Sequence, residues 1–311
     1  MSWTVADIPD LNGKVVLVTG ITGGLGREVA TELSRHGATV LGSGRDLGRT
    51  TEAARAIAAQ AAAGVVVPVG LDLADLSGVR NCARWLLGRH DRIDLMINNA
   101  GVMATPERTT IDGFELQIET NYLGHFALTG LLWPALTAAS ARVVSVSSLM
   151  HRTVKRIDLR TLERAGASPV RAYNRWRSYS ESKLAGLMFA LELDRRVLAG
   201  GLDVTSVAAH PGYAATGLQQ AGPSLGSHPL ERIALAIGNV TVAQSAREGA
   251  LPLLMAATMP GLAGGSYIGP SSLGETRGAP QVVGMSAAAR DEAAASDLWA
   301  ASERVTGISY P

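Results

Sequence analysis

The chain has 311 residues, of which 47% are hydrophobic and 18% charged, with a formal net charge of +1. This apolar content is enough to bury one large core, and the near-zero charge excludes a global electrostatic attraction to nucleic acid or to an anionic membrane. One cysteine, Cys82, no signal-peptide pattern in residues 1–13 and no apolar run of about 18 residues predict a cytoplasmic protein without a disulfide or a membrane span.

Short apolar runs alternate with longer segments of helical period. Strands are predicted at 15–18, 38–41, 65–67, 93–97, 142–146, 204–207 and 266–268. Helices are predicted where Leu25, Val29 and Leu33 share a face and at 47–62, 77–88, 112–138, 179–199 and about 243–258. The strand runs lack polar alternation, as strands covered on both faces do. The pattern predicts an α/β fold: a doubly wound parallel sheet of about seven strands with helices on both faces, in one domain over 1–311.

Three stretches interrupt this alternation. Residues 149–177 form an insert that holds seven arginines, Lys155 and Trp176, and a segment rich in glycine, proline and serine begins at 211. We interpret the arginines as a solvated face, with an acidic group of a ligand as the alternative partner, and 211 to about 245 as a substrate loop. The tail 269–311 contains a short amphipathic segment around Leu298 and Trp299.

A glycine-rich turn follows the first strand and leads into a helix. Glycines allow the backbone to approach a pyrophosphate, and a helix N-terminus favours its negative charge. The Gly-x3-Gly-x-Gly spacing differs from the commonest dinucleotide fingerprint, and glycines alone indicate only a turn. The position between strand and helix favours a phosphate site, whose candidate residues are Gly20, Thr22, Gly24, Leu25 and Gly26.

The end of the second predicted strand bears on the choice of cofactor. Sites specific for NAD usually place a carboxylate here to bind the ribose 2′-hydroxyl, whereas an arginine suits a 2′-phosphate. Gly44 stands where the acid is expected, and Arg45 follows it. The sequence therefore favours NADP(H). NAD is the alternative. In that case Arg45 would only be solvated, and Asp46 would be either the acidic partner or the N-cap of the next helix.

Two more segments follow predicted strands at the same edge of the sheet. Asp72 can accept a hydrogen bond from the adenine amino group, or serve only as a turn or helix N-cap residue. The tetrapeptide Asn98-Asn99-Ala100-Gly101 offers small side chains and amides beside a cofactor. The predicted cofactor contacts in these segments are Asp72, Leu73, Asn99, Ala100 and Gly101.

Tyr179 and Lys183 are four residues apart on a predicted helix and therefore share one face. A phenol with a pKa of about 10 is a weak acid–base group at neutral pH. An ammonium about 5 Å away, at an effective dielectric of about 20, is expected to lower that pKa by about two units. The spacing is common by chance, so it indicates a catalytic pair only together with other motifs.

The motifs occur in order: the glycine turn, Asn98–Gly101, Asn121, Ser147-Ser148, Tyr179 with Lys183, and Pro211-Gly212. Together they resemble the short-chain dehydrogenase/reductase family over about residues 12–216. Within that family, the segments 121–126 and 179–185 and the long insert are similar to retinol dehydrogenases, the WW-domain oxidoreductase and light-dependent protochlorophyllide reductases. The resemblance implies a Rossmann fold and reversible hydride transfer between NADP(H) and a small-molecule carbonyl or alcohol.

The resemblance also implies catalytic roles. Tyr179 would be the general acid in reduction and the base in oxidation, while Lys183 lowers its pKa and holds the nicotinamide ribose. Ser148, rather than its neighbour Ser147, would bind the substrate oxygen. Asn121 would hold a water that links Lys183 to solvent.

The remaining implied contacts concern the nicotinamide carboxamide, which would meet Pro211, Gly212 and Thr216. The chain departs from the family pattern at two positions. Gly23 stands where relatives that prefer NADP often carry a base, which weakens the cofactor prediction, and Thr22 replaces a more usual asparagine or serine.

His125, His151 and His210 match no zinc spacing, so we expect them to pack or form hydrogen bonds and expect no metal. Two other functions fit the same fold: a catalytically idle protein that senses NADP(H), and a sugar-nucleotide epimerase. The retained Tyr179 and Lys183 argue against the first. The lack of a larger C-terminal substrate domain, together with the Asn98–Gly101 segment, argues against the second.

The substrate and the assembly are predicted from apolar residues. Leu149, Met150, Tyr213 and Leu218 suggest a hydrophobic ketone, aldehyde or alcohol, such as a retinoid, steroid or lipid. The family commonly dimerises through the helices predicted here at 112–138 and 179–199. Both helices carry apolar residues that look exposed, namely Leu128, Leu131, Leu187 and Phe189. We therefore expect a homodimer through this surface, unless the insert 149–177 covers it.

Overall fold

A computed structural model describes residues 3–61, 64–163, 172–214 and 244–311. Its centre is an eight-stranded sheet in the order β3-β2-β1-β4-β5-β6-β7-β8. Neighbours from β3 to β7 pair in parallel, and β8 runs antiparallel to β7. The strands are β1 Val15–Thr19, β2 Thr39–Gly44, β3 Val65–Gly70, β4 Leu95–Asn98, β5 Arg142–Val146, β6 Thr205–Ala209, β7 Tyr267–Ser272 and β8 Arg277–Val282.

The described helices lie between and after these strands. They are α1 Gly24–Arg35, α2 Leu47–Ala58, α3 Leu76–Leu87, α4 Leu116–Ile118, α5 Gly124–Leu131, α6 Trp133–Thr137, α7 Arg175–Ala199, α8 Ala246–Thr258 and α9 Glu292–Thr306. Several begin at a side chain that accepts a hydrogen bond from an otherwise unpaired backbone N–H. These caps are Asp46, Asp75, Asn174, Ser245 and Asp291. None of the helices in the described residues is long and apolar enough to cross a membrane.

The two faces of the sheet are covered by separate apolar clusters. Along β1, Leu17 enters one cluster, whereas Val16 and Val18 enter the other. Alternate side chains of a strand point to opposite faces, so a run without polar residues is what two covered faces require. The predicted α/β sheet with helices on both faces is confirmed.

The sheet has one strand more than the seven predicted. β8 pairs with β7 through Ile268 and Val282, among others. Its sequence contains Gly278 and Pro280 and lacks an apolar run, so no strand pattern is visible. An edge strand tolerates proline because one side of its backbone needs no partner strand. The structure thus adds one antiparallel edge strand to the sheet of about seven strands that the sequence predicted.

The single helix predicted over 112–138 is interrupted. A π-helical turn, Glu119–Leu123, separates α4 from α5, and Pro134 lies at the start of α6. A π turn widens the helix by one residue and often occurs at functional sites. It carries Asn121, the residue in this segment that the sequence marked as catalytic.

The apolar residues on which the homodimer prediction depended are not exposed. Leu128, Leu187 and Phe189 are buried, and Leu131 is half-buried. These residues are covered by α9 and the residues that follow it. Trp299 of α9 stacks on Phe189, with 5.7 Å between the ring centres. That interpretation was wrong because the amphipathic segment near Trp299 is a 15-residue helix that packs on this face. A dimer through the same face would first require α9 to leave it.

Candidate active site

The glycine loop, residues 19–26, connects β1 to α1 at the carboxyl edge of the sheet. Gly20 donates its backbone N–H to the Ser43 carbonyl of the adjacent strand, at 2.8 Å. Gly26 lies directly on this turn, because a β-carbon there would be only 2.2 Å from the Gly20 carbonyl oxygen. The loop thus brings the N-terminus of α1 close to the sheet, leaving Thr22 exposed and Gly24 and Leu25 half-buried. This is the form of a phosphate cradle.

The Asn98–Gly101 segment is fixed to the glycine loop through Thr19. The backbone N–H groups of Asn99 and Ala100 both donate to Thr19 Oγ1 at 2.9 Å. The Asn99 side chain donates to the Thr19 carbonyl at 2.7 Å. Three of the predicted cofactor residues, Asn99, Ala100 and Gly101, therefore lie beside the loop as a single unit.

The end of β2 has no room for a side chain at position 44. A β-carbon on Gly44 would be 2.4 Å from Thr50 Oγ1 and 3.0 Å from the Thr22 methyl group. A carboxylate of the kind that binds a ribose 2′-hydroxyl therefore does not fit here unless the Thr50 and Thr22 side chains move. Arg45 is exposed, and Asp46 is the N-cap of α2, accepting a hydrogen bond from Arg49. Asp46 is therefore the cap that the sequence offered as one alternative, and its other carboxylate oxygen leaves the role of ribose-binding acid a prediction.

The segment after β3 lies at the same edge. Asp72 is half-buried and accepts a hydrogen bond from the Ala74 backbone, so it shapes a turn, and the N-cap of α3 is Asp75. Leu73 is buried. Asp72 keeps a second carboxylate oxygen for a ligand, and its predicted contact with adenine stays a prediction.

Ser148, Tyr179 and Lys183 meet at the carboxyl end of β5. Ser148 follows the strand and begins a short 3-10 helix, Leu149–Thr153. Its hydroxyl lies close enough to the Tyr179 phenol to lower the pKa of that phenol. Ser147 points elsewhere, because its hydroxyl donates to the Lys183 carbonyl at 2.8 Å. The alternation of the strand thus places Ser148, not Ser147, beside the tyrosine.

Both ionisable groups of this cluster are buried. The Lys183 ammonium lies 5.8 Å from the centre of the Tyr179 ring and donates to the Val146 carbonyl at 2.9 Å. Burial lowers the pKa of Lys183 to about 8. Burial also raises the pKa of Tyr179 to about 12, against the lowering effect of the Ser148 hydroxyl. The expected fall in the phenol pKa was therefore wrong for the protein alone, because loss of water outweighs the distant ammonium.

The Asn121 side chain is held by the Val102 backbone and by Ser182. Its side-chain oxygen accepts from the Val102 N–H at 2.7 Å, and its amide donates to the Val102 carbonyl and to Ser182 Oγ, both at 2.9 Å. Ser182 is adjacent to Lys183 on α7. The four predicted catalytic residues thus belong to one buried cluster, although they come from three segments of the chain.

His125 links this cluster to the glycine loop. Since Thr19 Oγ1 already accepts two bonds, its one hydrogen is available to His125 Nε2 at 2.9 Å, closer than the Ile97 carbonyl at 3.3 Å. Nε2 is then the acceptor, so Nδ1 carries the ring proton and donates to the Asn121 carbonyl at 3.2 Å. Burial lowers the His125 pKa to about 4, which keeps the ring neutral. Sequence reasoning gave His125 a packing or hydrogen-bonding role and missed this link.

Replacing His125 with phenylalanine should weaken NADPH binding and lower turnover, each by about tenfold. The substitution removes the ring N–H that donates to the Asn121 carbonyl and the ring nitrogen that accepts from Thr19, at roughly 1–3 kcal/mol, and so releases Thr19 from α5. Fluorescence titration with NADPH measures the first effect. Glutamine can accept from Thr19 and donate to Asn121, so His125→Gln should recover most of the affinity. NADPH binding that stays normal in His125→Phe while only the melting temperature falls would contradict the link.

The segment after β6 completes the edge. Pro211 and Gly212 are half-buried, and the Gly212 N–H donates to His210 Nδ1 at 3.2 Å. His151 and His210 are buried and both rings pack against Tyr267, and no cluster of metal-ligating side chains occurs in the described ranges. Thr216 and Leu218, predicted to contact cofactor and substrate, lie outside the described residues.

Comparisons with a protein family, with individual proteins and with solved structures all point to the family that the sequence motifs resemble. Residues 14–156 match the short chain dehydrogenase family. Human retinol dehydrogenase 13 is 36% identical over 304 residues, which cover 96% of this chain and 86% of that protein. Mouse polyprenol dehydrogenase is 38% identical over 308 residues, with coverage of 96% and 86%.

Two solved structures are similar as well. An uncharacterized protein from Mycobacterium paratuberculosis is 40% identical and superposes with a TM-score of 0.80 over the whole of both chains. A Beutenbergia cavernae protein described as an NAD(P)-dependent gluconate 5-dehydrogenase, solved with bound NADP, is 25% identical with a TM-score of 0.63. Its alignment covers 83% of this chain and 95% of that one.

Proposed function

Because the chain belongs to the short-chain dehydrogenase/reductase family, we propose that it transfers hydride between NADP(H) and a hydrophobic carbonyl or alcohol. The observation that carries this proposal is the buried Tyr179, with the Lys183 ammonium 5.8 Å from its ring centre and Ser148 at the end of β5, on the same sheet edge as the glycine loop. A proton donor and a phosphate cradle at one edge are the two parts that this reaction needs.

NADP(H), when bound, supplies or accepts the hydride. The glycine loop would hold its pyrophosphate, and the Asn98–Gly101 segment and Lys183 would lie along its ribose and nicotinamide. Tyr179, with a pKa near 12, is protonated at neutral pH and can donate its proton to a carbonyl oxygen that Ser148 also binds. Burial removes competing water from this transfer.

Arg45→Ala should lower the affinity for NADPH by about tenfold, because it removes one charge-assisted contact of roughly 1.5 kcal/mol with the 2′-phosphate. The affinity for NADH should not change. Arg49→Ala is the matched control, since Arg49 is also exposed but lies on α2 beyond the cap. Fluorescence titration of both variants with both cofactors measures this, and equal NADPH and NADH affinities in the unaltered protein would refute the preference.

A hydrophobic substrate is supported by the half-buried Leu149, Met150 and Tyr213, which follow strands at the same edge. The similar proteins named for retinol and polyprenol point to the same class. The experiment is a panel of retinoid, polyprenoid and steroid alcohols and carbonyls, followed at the absorbance of NADPH. Turnover of short polar sugars alone would overturn the substrate class and leave the reaction class intact.

A further inference from the structure

The insert 149–177 contains a basic surface that the hydride-transfer site does not use. Its described part, 149–163 and 172–177, holds six arginine or lysine side chains and two acidic ones, in a chain whose net charge is +1. Three of the arginines have ion-pair partners: Arg152 with Glu275, Arg160 with Asp158, and Arg177 with Glu181. Lys155 and Arg156 are exposed and form no ion pair with any residue the structure describes.

Lys155 and Arg156, together with Arg177, line an open cavity of about 570 Å³. A cavity of this size accommodates a small organic ligand. Its cationic lining is Lys155, Arg156 and Arg177, and its apolar lining includes Met150, Val154 and Trp176. Both kinds of lining come from the same two parts of the chain, namely the 3-10 helix Leu149–Thr153 with the segment after it, and the first turns of α7.

The cavity has a fixed wall. Thr153 Oγ1 donates to Ser180 Oγ at 2.9 Å, and Ser180 in turn donates to the Trp176 carbonyl at 2.8 Å. Ser180 is buried, so the two segments are joined below the cavity rather than merely adjacent in solvent. Trp176 and Ser180 are one helical turn apart and hence lie on one face of α7.

Helix stability does not explain the positive charge at this place. Arg175 and Arg177 lie in the first turn of the 25-residue helix α7, where the helix dipole disfavours cations. Arg177 uses its Nε for Glu181, which leaves the two terminal nitrogens of its guanidinium for other acceptors. An anion in the cavity would meet Arg177, the helix dipole and the exposed Lys155 and Arg156, all of favourable sign.

We propose that this cavity, which we call the insert cavity, is a binding site for an anionic amphiphile, with a phosphate or carboxylate between Lys155, Arg156 and Arg177 and an alkyl or aryl portion against Met150, Val154 and Trp176. None of these six residues belongs to the predicted catalytic or cofactor set. Met150 is also one of the residues proposed to meet the substrate, whereas the three cations belong to no part of the hydride-transfer site, so the inference does not depend on the proposed reaction.

Decyl phosphate, used below its critical micelle concentration, is a suitable probe. Decanol is the control that has the alkyl chain without the charge, and inorganic phosphate is the control that has the charge without the chain. Isothermal titration should show saturable binding of decyl phosphate that is at least tenfold tighter than that of either control and that weakens with salt. Tryptophan fluorescence should change on binding, and Trp176→Phe should abolish that change although four other tryptophans remain.

A pair of arginine variants locates the site. Arg156→Gln removes a lining cation and should weaken decyl phosphate binding by about tenfold, as expected for one charge-assisted contact. Arg160→Gln removes the same charge from the same insert outside the cavity lining and should change binding less than twofold. Unchanged melting temperature and NADPH affinity would show that both variants are folded.

Three results would overturn the proposal. Decanol that binds as tightly as decyl phosphate would mean a merely apolar groove. Equal weakening by Arg156→Gln and Arg160→Gln would mean diffuse electrostatic attraction. The absence of saturable binding would mean that the arginines are a solvated face.

Discussion

Tyr179→Phe is expected to lower turnover by about a hundredfold or more while leaving the fold and the cofactor site intact. The substitution keeps the buried ring in place and removes only the hydroxyl that faces Ser148. That hydroxyl carries the proton that the carbonyl oxygen must receive, and a positioned acid–base group typically contributes two to four orders of magnitude in rate. Steady-state kinetics with an active substrate from the panel measures the loss.

The control for this variant is the affinity for NADPH, which should barely change. Lys183→Ala should lower turnover too, but should also weaken NADPH binding, because the same ammonium is expected to hold the ribose. If Tyr179 served packing alone, phenylalanine would shift stability slightly and leave turnover within a few fold. Near-normal turnover in Tyr179→Phe would therefore refute the proposed proton transfer.

Trp299→Ala is expected to lower the free energy of unfolding by about 3–5 kcal/mol, the range for truncating a buried large aromatic side chain. Trp299 is 1% exposed and is surrounded by Phe126, Phe189 and Tyr310, with ring centres 5.0 to 5.7 Å away. The Arg196 guanidinium lies over its ring at 4.5 Å. Urea denaturation followed by circular dichroism measures the loss of stability.

Trp85→Ala is the matched control for this second prediction. Trp85 is 37% exposed on α3, so its removal should lower the free energy of unfolding by a smaller amount, about 1 kcal/mol. Light scattering of Trp299→Ala tests the covered face in addition, because loosened packing of α9 would expose Leu128, Leu187 and Phe189 and favour association. A loss of stability as small as that of Trp85→Ala would show that α9 does not hold this face closed.

Local signals along the chain were sufficient for the fold class and for most of the candidate site. Apolar runs without alternation mark the parallel strands because both faces of each strand are buried. The glycine loop and the Tyr179–Lys183 pair are visible because their residues are neighbours on one turn or one helix face. The end of β2, where Gly44 precedes Arg45, could likewise be located from the strand pattern.

Only the tertiary structure decided what depends on contacts between distant segments. β8 is a strand because β7 provides its partner, not because of its own composition. His125 acquires its role from Thr19, 106 residues away in sequence, and Phe189 is buried by a helix that begins at Glu292. The pKa of Tyr179 rises rather than falls because folding removes the water around it. Periodicity reports which face of an element is apolar, whereas burial, pairing and desolvation depend on what packs against that face.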